Sequence, residues 1–401
     1  HADCRLPAED LRMTRPSVMS ERARRIDPFR VMQILQRARQ LEAQGKDIVH
    51  MEIGEPDFPS PPGVIAAGRT ALDAGHTHYT AANGLPELRA AIATSYGDDA
   101  VVDASRILVS PGASGALQLV MAVLLNAGDG IMMADPGYPC NRHIASLFNA
   151  DIQLVPVDET TGYQLTREHV ESHWQANTRA VLVASPSNPT GTLIDPAELA
   201  DINEFVVSRG ARLIVDEIYH GLIYDEDVPS AAAISEDIFI INSFSKYYGM
   251  TGWRIGWLVM PFEYAEAVSR LAQNMFLAAP TLSQHAALAA LDEATEPELL
   301  RRKAIFRERR GYLLPALEDA GFIVRTRPSG AFYIYADCTA YGQDSDALCE
   351  QLLEQAGVAV TPGSDFGHHD SSRYVRFSYA NTLDKLEQGV RRMKNYLENR
   401  S

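Results

Sequence analysis

The sequence predicts an α/β protein: a large domain on a mostly parallel sheet of the seven-stranded type, covered by helices, plus a smaller α+β domain. Three observations predict it. Short strand-like runs alternate with helical stretches through the middle of the chain. Several of those runs are apolar at every position, and the alternation gives way to another pattern near both ends. Strands covered on both faces lose the polar–apolar alternation of half-exposed ones, and strand–helix alternation favours parallel pairing. In order, the central runs are 106–110, 130–134, 152–155, 180–184, 212–216, 238–242 and 255–260. After the first, Leu117, Val120, Met121 and Leu124 repeat at helical spacing, with Ser114 ahead and Gly128 as the stop. Near the start, Val31, Ile34, Leu35, Ala38 and Leu41 form a second such stripe, closed by Gly45. A long charged helix follows Pro297. Strand-like stretches come at 322–325, 332–336, 358–360 and 374–379, and a last helix runs from Leu383. The division this suggests is 26–50 as an N-terminal helix packing with the small domain, 51–290 as the large domain and 291–401 as the small one. Residues 1–25 are expected to be a poorly ordered segment or partly foreign to the native chain, since the sequence starts at His1 and Met13 is a candidate native start.

Composition narrows the function. The 401 residues carry 36 Lys+Arg against 52 Asp+Glu, a net charge of −16, which disfavours binding nucleic-acid phosphates. No apolar run approaches the ~20 residues of a membrane span, and the first residues lack the apolar core of a signal peptide. The four cysteines show no CxxC spacing, which fits a reducing, cytoplasmic setting and supplies no metal motif. His143, His220 and the His368-His369 pair receive no role, and no HExxH spacing is present.

Four segments, each just after a strand-like run, carry the chemistry. Ser243-Phe244-Ser245-Lys246 places a lysine at a sheet edge, and Gly249-Met250-Thr251-Gly252-Trp253-Arg254 places an arginine eight residues on. A partly desolvated lysine loses pKa and attacks carbonyls, and an arginine among glycines can clamp a phosphate. In Val215-Asp216-Glu217-Ile218-Tyr219, the aspartate can keep a heteroaromatic nitrogen protonated, as a pyridoxal cofactor requires, or simply cap the next helix. Asn188, in Ser185-Pro186-Ser187-Asn188-Pro189-Thr190-Gly191, offers a donor and an acceptor at the sheet edge, although asparagine commonly just satisfies turn backbone. Ser110-Pro111-Gly112-Ala113-Ser114-Gly115 opens a helix whose free N–H groups suit a phosphate. It matches neither GxGxxG nor a Walker A loop.

As a set, these segments resemble the class I/II aminotransferases of the pyridoxal-phosphate fold type I superfamily, near the aspartate, alanine and aromatic branch. The resemblance runs from about residue 26 to the C-terminus. It implies an aspartate aminotransferase-like fold and pyridoxal 5'-phosphate as cofactor. Lys246 is then the lysine of the internal aldimine and the carrier of the Cα proton, with catalysis by Lys246, Asp216 and Tyr219 in a ping-pong transfer from an L-amino acid to a 2-oxo acid such as 2-oxoglutarate or pyruvate. Asp216 matches the partner of the pyridine nitrogen, and Tyr219 and Asn188 match the ligands of the phenolate oxygen. Arg254, Ser243, Ala113 and Ser114 match the phosphate site, with Ser245 adding a hydroxyl. Tyr138, in Asp135-Pro136-Gly137-Tyr138-Pro139, resembles the aromatic residue stacked on the ring. Tyr79 resembles the tyrosine that reaches the phosphate of a partner subunit, which implies a homodimer. Arg376, in Tyr374-Val375-Arg376-Phe377-Ser378, matches the arginine that grips the substrate α-carboxylate, helped by Gly54 and Asn188.

One departure bears on the donor. Aspartate-specific relatives of one branch use a second arginine from the partner subunit, whereas the segment 274–280 here contains none and offers Phe276 and Leu277. The expectation is a neutral or aromatic donor rather than strictly aspartate. The same motifs also suit a carbon–sulfur lyase or related elimination enzyme on the same cofactor. More remotely they suit a ligand-sensing regulator, although too few residues precede the fold for a helix-turn-helix domain.

Overall fold

In the computed structural model, which describes residues 19–97, 100–342 and 344–399, the central runs become strands of one sheet. After a two-residue strand β1 (Val49–His50) come β2 (Ile107–Ser110), β3 (Gly130–Asp135), β4 (Asp151–Pro156), β5 (Thr178–Ala184), β6 (Arg212–Asp216), β7 (Phe239–Ser243) and β8 (Gly256–Val259). Strands β2–β8 form a seven-stranded sheet in the order β2-β8-β7-β6-β5-β3-β4. Neighbours run parallel except β8, which is antiparallel to both β2 and β7.

The all-apolar strands divide their side chains between two cores, as a period of two dictates. Leu108, Met133, Leu182, Ile214, Ile241 and Leu258 enter one core, where Leu117, Val120 and Met121 of the helix Gly112–Leu124 cover them. Val109, Met132, Val183, Val215, Ile240 and Trp257 enter the other, under Ile202 and Phe205 of the helix Pro196–Ser208 and Ala286 and Ala287 of Thr281–Ala290. Burying each large side chain contributes about 1.5–3 kcal/mol, so both faces hold the sheet against its helices.

A second unit is drawn from both ends of the chain. Strands β9 (Tyr333–Asp337), β10 (Val358–Ala359), β11 (Thr361–Pro362) and β12 (Tyr374–Ser378) follow the 24-residue helix Glu296–Asp319. β12 lies between β11 and β9, antiparallel to both, while β10 pairs in parallel with β1. The helix Arg30–Ala43 joins them, packing Ala38 and Leu41 with Ile48, Leu353 and Ala359. The packing changes hands after Ala290, which sits in the sheet's core, and before Phe306, which sits with Phe332 and Phe377 in the second one.

One expectation is corrected at the margins. The stretch 322–325 makes one bridge, Ile323 to Asp337, and no strand. Pro328 and Gly330 carry the chain away to bridge Ile223, and Arg325 turns its side chain to the Asp337 carboxylate at 2.8 Å. At the start, Glu21–Arg25 is a short helix capped by the Ser20 hydroxyl, and residues 1–18, Met13 included, lie outside the described residues. Among the described residues, no helix is long and apolar enough to cross a membrane.

Candidate active site

The parallel strands end on one edge, where α/β sheets bind ligands. Ser110, Ala184, Asp216 and Ser243 are the last residues of β2, β5, β6 and β7, so each motif follows its strand directly. A cavity of about 300 Å³ lies there, within the range of small-molecule sites. Eleven residues singled out in the sequence line it: Gly54, Ala113, Ser114, Tyr138, Asn188, Asp216, Tyr219, Ser245, Lys246, Arg254 and Arg376. Two do not. Ser243 sits behind the wall, where its hydroxyl donates to the Ile255 carbonyl at 3.1 Å and accepts the Ser245 N–H at 3.1 Å, and it is Ser245 that reaches the cavity. Tyr79 lies outside and is 82% exposed.

One end of the cavity is built for an anion. The helix Gly112–Leu124 starts without a side-chain cap, which leaves first-turn N–H groups open. Arg254 is held beside them in a left-handed conformation (φ 52°), a costly one for a non-glycine residue. Its Nη1 donates to the Thr251 carbonyl at 3.0 Å. Glycine is favoured at 112, where φ is +71° and an added Cβ would lie 2.6 Å from Arg254 Nη2 and push that side chain aside.

At the middle, Lys246 donates from Nζ to the Gly54 carbonyl. Burial pulls its amine down to about 8, where an appreciable neutral fraction exists at physiological pH. Asp216 accepts the Ile218 N–H at 3.1 Å, and burial pushes its carboxyl up to about 6. Its unfolded value is ~3.9, so the folded chain holds this proton more tightly. The stability that goes with the protonated form is therefore lost as pH rises from about 4 through about 6. Asp216→Asn is expected to make the cofactor-free protein more resistant to urea than wild type at pH 7–8. The gap should close towards pH 4, and a gap independent of pH would refute the assignment.

The third group is Arg376, which is 2% exposed on the central strand of the small sheet. Its Nη1 donates to Asn188 Oδ1 at 2.9 Å, and Nη2 donates to the Glu52 carbonyl and, at 3.4 Å, to Thr361 Oγ1. Nε has no partner, and no carboxylate among the described residues pairs with the guanidinium. The rings of Tyr333 and Phe366 flank it at 4.2 and 4.7 Å. A buried cation with no carboxylate in ion-pair contact is expensive, and an anionic ligand would relieve it. Asn188 spends its carbonyl oxygen on Arg376, so the amide nitrogen is what it offers the cavity. Tyr219 shares a hydroxyl contact of 2.8 Å with Tyr333.

Sequence reasoning missed Tyr333 and the apolar wall of Phe29, Val31, Met32, Ile53, Ile144 and Ile218. An added Cβ on Gly54 would lie 2.0 Å from the Tyr333 hydroxyl, so the two positions are fitted to each other. The only sequence signal for Phe29–Met32 was their place at the head of a helical stripe. Among the described residues, no histidine lines the cavity; the backbone N–H groups of His368 and His369 instead serve the Asp135 carboxylate.

Comparison with known proteins bears on this geometry. The family described as aminotransferase class I and II matches residues 46–393. The chain is 37% identical to the valine–pyruvate aminotransferase of Mycobacterium tuberculosis, over 93% of this chain and 97% of that protein. It is 36% identical to the (5-formylfuran-3-yl)methyl phosphate transaminase of Methanocaldococcus jannaschii, over 95% of this chain and all of that protein (100%). Among solved structures, the aspartate aminotransferase of Thermus thermophilus with maleate superposes at a TM-score of 0.89 with 31% identity, covering 94% of this chain and 99% of that one.

Proposed function

The chain belongs to the class I and II aminotransferase family and is a transaminase, and from that premise we propose that it transfers the amino group of a neutral or aromatic L-amino acid to a 2-oxo acid, with pyridoxal 5'-phosphate as cofactor and in two successive half-reactions. The residues present fit that cofactor. The uncapped helix start at Ala113 and Ser114, with Ser245 and Arg254, would hold its phosphate. Asp216 would hold the ring nitrogen, Tyr219 and Asn188 the phenolate oxygen, and Tyr138 a ring face. When bound, the cofactor supplies the electron sink that lets a Cα–H bond break.

The chain's own residues do the rest. Lys246 would hold the cofactor through its amine, and that amine, when free, would take the proton from the substrate Cα. The Gly54 carbonyl keeps that amine directed into the cavity. Arg376 binds the α-carboxylate through its guanidinium and so fixes which face of Cα meets Lys246. A protonated ring nitrogen beside Asp216 would favour its charged form and offset the burial that otherwise raises its pKa.

The observation that carries the donor preference is the cavity wall. Its cations are Lys246, Arg254 and Arg376, each already assigned; its acidic residues are Asp216 and Glu55, and the apolar part of the wall includes Phe29, Val31, Met32, Ile53, Leu117, Ile144 and Ile218. No residue of 274–280 lines the cavity of the same chain. We also propose a homodimer in which Tyr79 reaches the partner's phosphate site. What supports it is the exposure of Tyr79 and Leu277 on neighbouring loops that Thr281 joins through the His78 carbonyl.

The test is a visible absorbance titration of the cofactor-loaded protein. Valine, leucine or phenylalanine is expected to bleach the bound-cofactor band at lower concentration than aspartate, and 2-oxoglutarate or pyruvate to restore it. Bleaching by aspartate alone would overturn the donor assignment. Release of ammonia and an oxo acid without any acceptor would favour elimination.

A further inference from the structure

We propose that Asp365 is a positioning residue for substrate specificity: it caps, from a distant part of the chain, the helix whose first residues wall the apolar end of the cavity. The inference rests on the amino-acid transfer described above. The helix Arg30–Ala43 begins at Phe29, which has no side chain able to cap it. The Arg30 N–H instead donates to Asp365 Oδ1 at 3.1 Å, across 335 residues of sequence. The Val31 N–H bears on the same carboxylate. Asp365 is 3% exposed, and its other oxygen, Oδ2, has no partner, so the Arg30 bond is the principal one its side chain makes.

The acceptor's loop is tied to its surroundings at several points, whereas the helix start keeps part of its side-chain surface in solvent, with Arg30 also paired to Asp346 at 3.1 Å. The Asp365 carbonyl accepts Arg142 Nη2 at 2.9 Å, and the Phe366 carbonyl accepts the Gly137 N–H at 2.8 Å. The next residue, Gly367, is pressed so close to Asp135 that a Cβ would lie 1.7 Å from its Oδ1. Phe366 packs on Arg376. By contrast, Phe29 meets Tyr138 edge-on at 6.1 Å, and Met32 is 52% exposed. With the α-carboxylate at Arg376 and the reacting Cα at Lys246, Phe29, Val31 and Met32 are left to meet the substrate side chain. One carboxylate thus links the loop that packs on Arg376 to the wall that judges side-chain size.

The test compares holoenzyme variants Asp365→Ala and Asp365→Asn with phenylalanine and alanine as donors. Losing a helix cap predicts a rise in KM for phenylalanine of about 5–10-fold in Asp365→Ala, with kcat and the KM for alanine within about twofold of wild type. Asp365→Asn should remain near wild type, because its amide oxygen accepts the same N–H. Hydrogen exchange of the Arg30–Gln33 amides should accelerate in Asp365→Ala only, and this readout needs no turnover. Should Asp365→Ala fail to fold, Phe29→Ala removes part of the same wall and should raise the phenylalanine KM selectively. Equal losses for both donors in both Asp365 variants would mean that Asp365 acts through its charge near Arg376, which overturns the proposal. Unchanged kinetics and exchange would overturn it as well. A wild-type protein that transaminates no amino acid would defeat the functional reading, and the exchange experiment would still decide the cap.

Discussion

Lys246→Ala is expected to lower transamination by on the order of 10⁴-fold, the upper range for removing a positioned proton carrier, and by more to the extent that cofactor attachment is lost. The cofactor should still bind, because the anion cradle of Ala113, Ser114, Ser245 and Arg254 is untouched. Borohydride treatment should then leave no cofactor mass on the peptide holding residue 246, whereas wild type should carry it. A small amine such as methylamine should restore part of the rate by occupying the vacated space beneath the Gly54 carbonyl. Stability gives a separate readout. Folding lowers the Lys246 pKa to about 8 from an unfolded value of ~10.4, so wild type gains stability relative to Lys246→Ala as pH rises from about 8 to about 10, where only the unfolded chain holds the proton. Activity within tenfold of wild type would remove Lys246 from the reaction.

Arg376→Leu is expected to reduce kcat/KM by about 10²–10³-fold, the range for removing one partner of a buried charge pair, with most of the change in KM. Arg376→Lys should recover little, because a lysine cannot reproduce the planar fork that reaches Asn188, the Glu52 carbonyl and a carboxylate together. Cofactor affinity should stay the same in both variants. The discriminating comparison is an amino acid against the amine that lacks its carboxylate. Wild type should prefer the amino acid strongly, and Arg376→Leu should lose most of that preference. If the preference survived, the carboxylate would have to bind elsewhere.

Much of this site was legible because its chemistry sits where local rules apply. A strand that ends in a turn displays its next residues at the sheet edge, so Asp216, Asn188 and Lys246 could be placed from the runs before them. The two serines of the 243–246 segment could not be told apart in this way. Their alternation sends one inward to Ile255 and the other into the cavity, and nothing local says which. Tyr333, Phe29 and Asp365 were invisible for another reason. Their partners are Gly54, Tyr138 and Arg30, all distant in sequence and reached only in the folded chain. The stretch 322–325 had the composition of a strand, but pairing needs a neighbour in register over several residues, and after the single bridge from Ile323 to Asp337 the chain turns away, so that Gly330 bridges Ile223.

The parallel pairing of β1 with β10 has a consequence for how the protein is made. Glu52 and Thr361, joined by a hydrogen bond, are 309 residues apart. A ribosome must therefore finish nearly the whole polypeptide before the Glu52 carbonyl and Arg376 can meet. The seven-stranded sheet and its anion cradle need only the middle of the chain and can assemble first. A nascent chain would thus acquire a place for a phosphate well before it can recognise an amino acid, and the late, long-range closure should set the pace of its maturation.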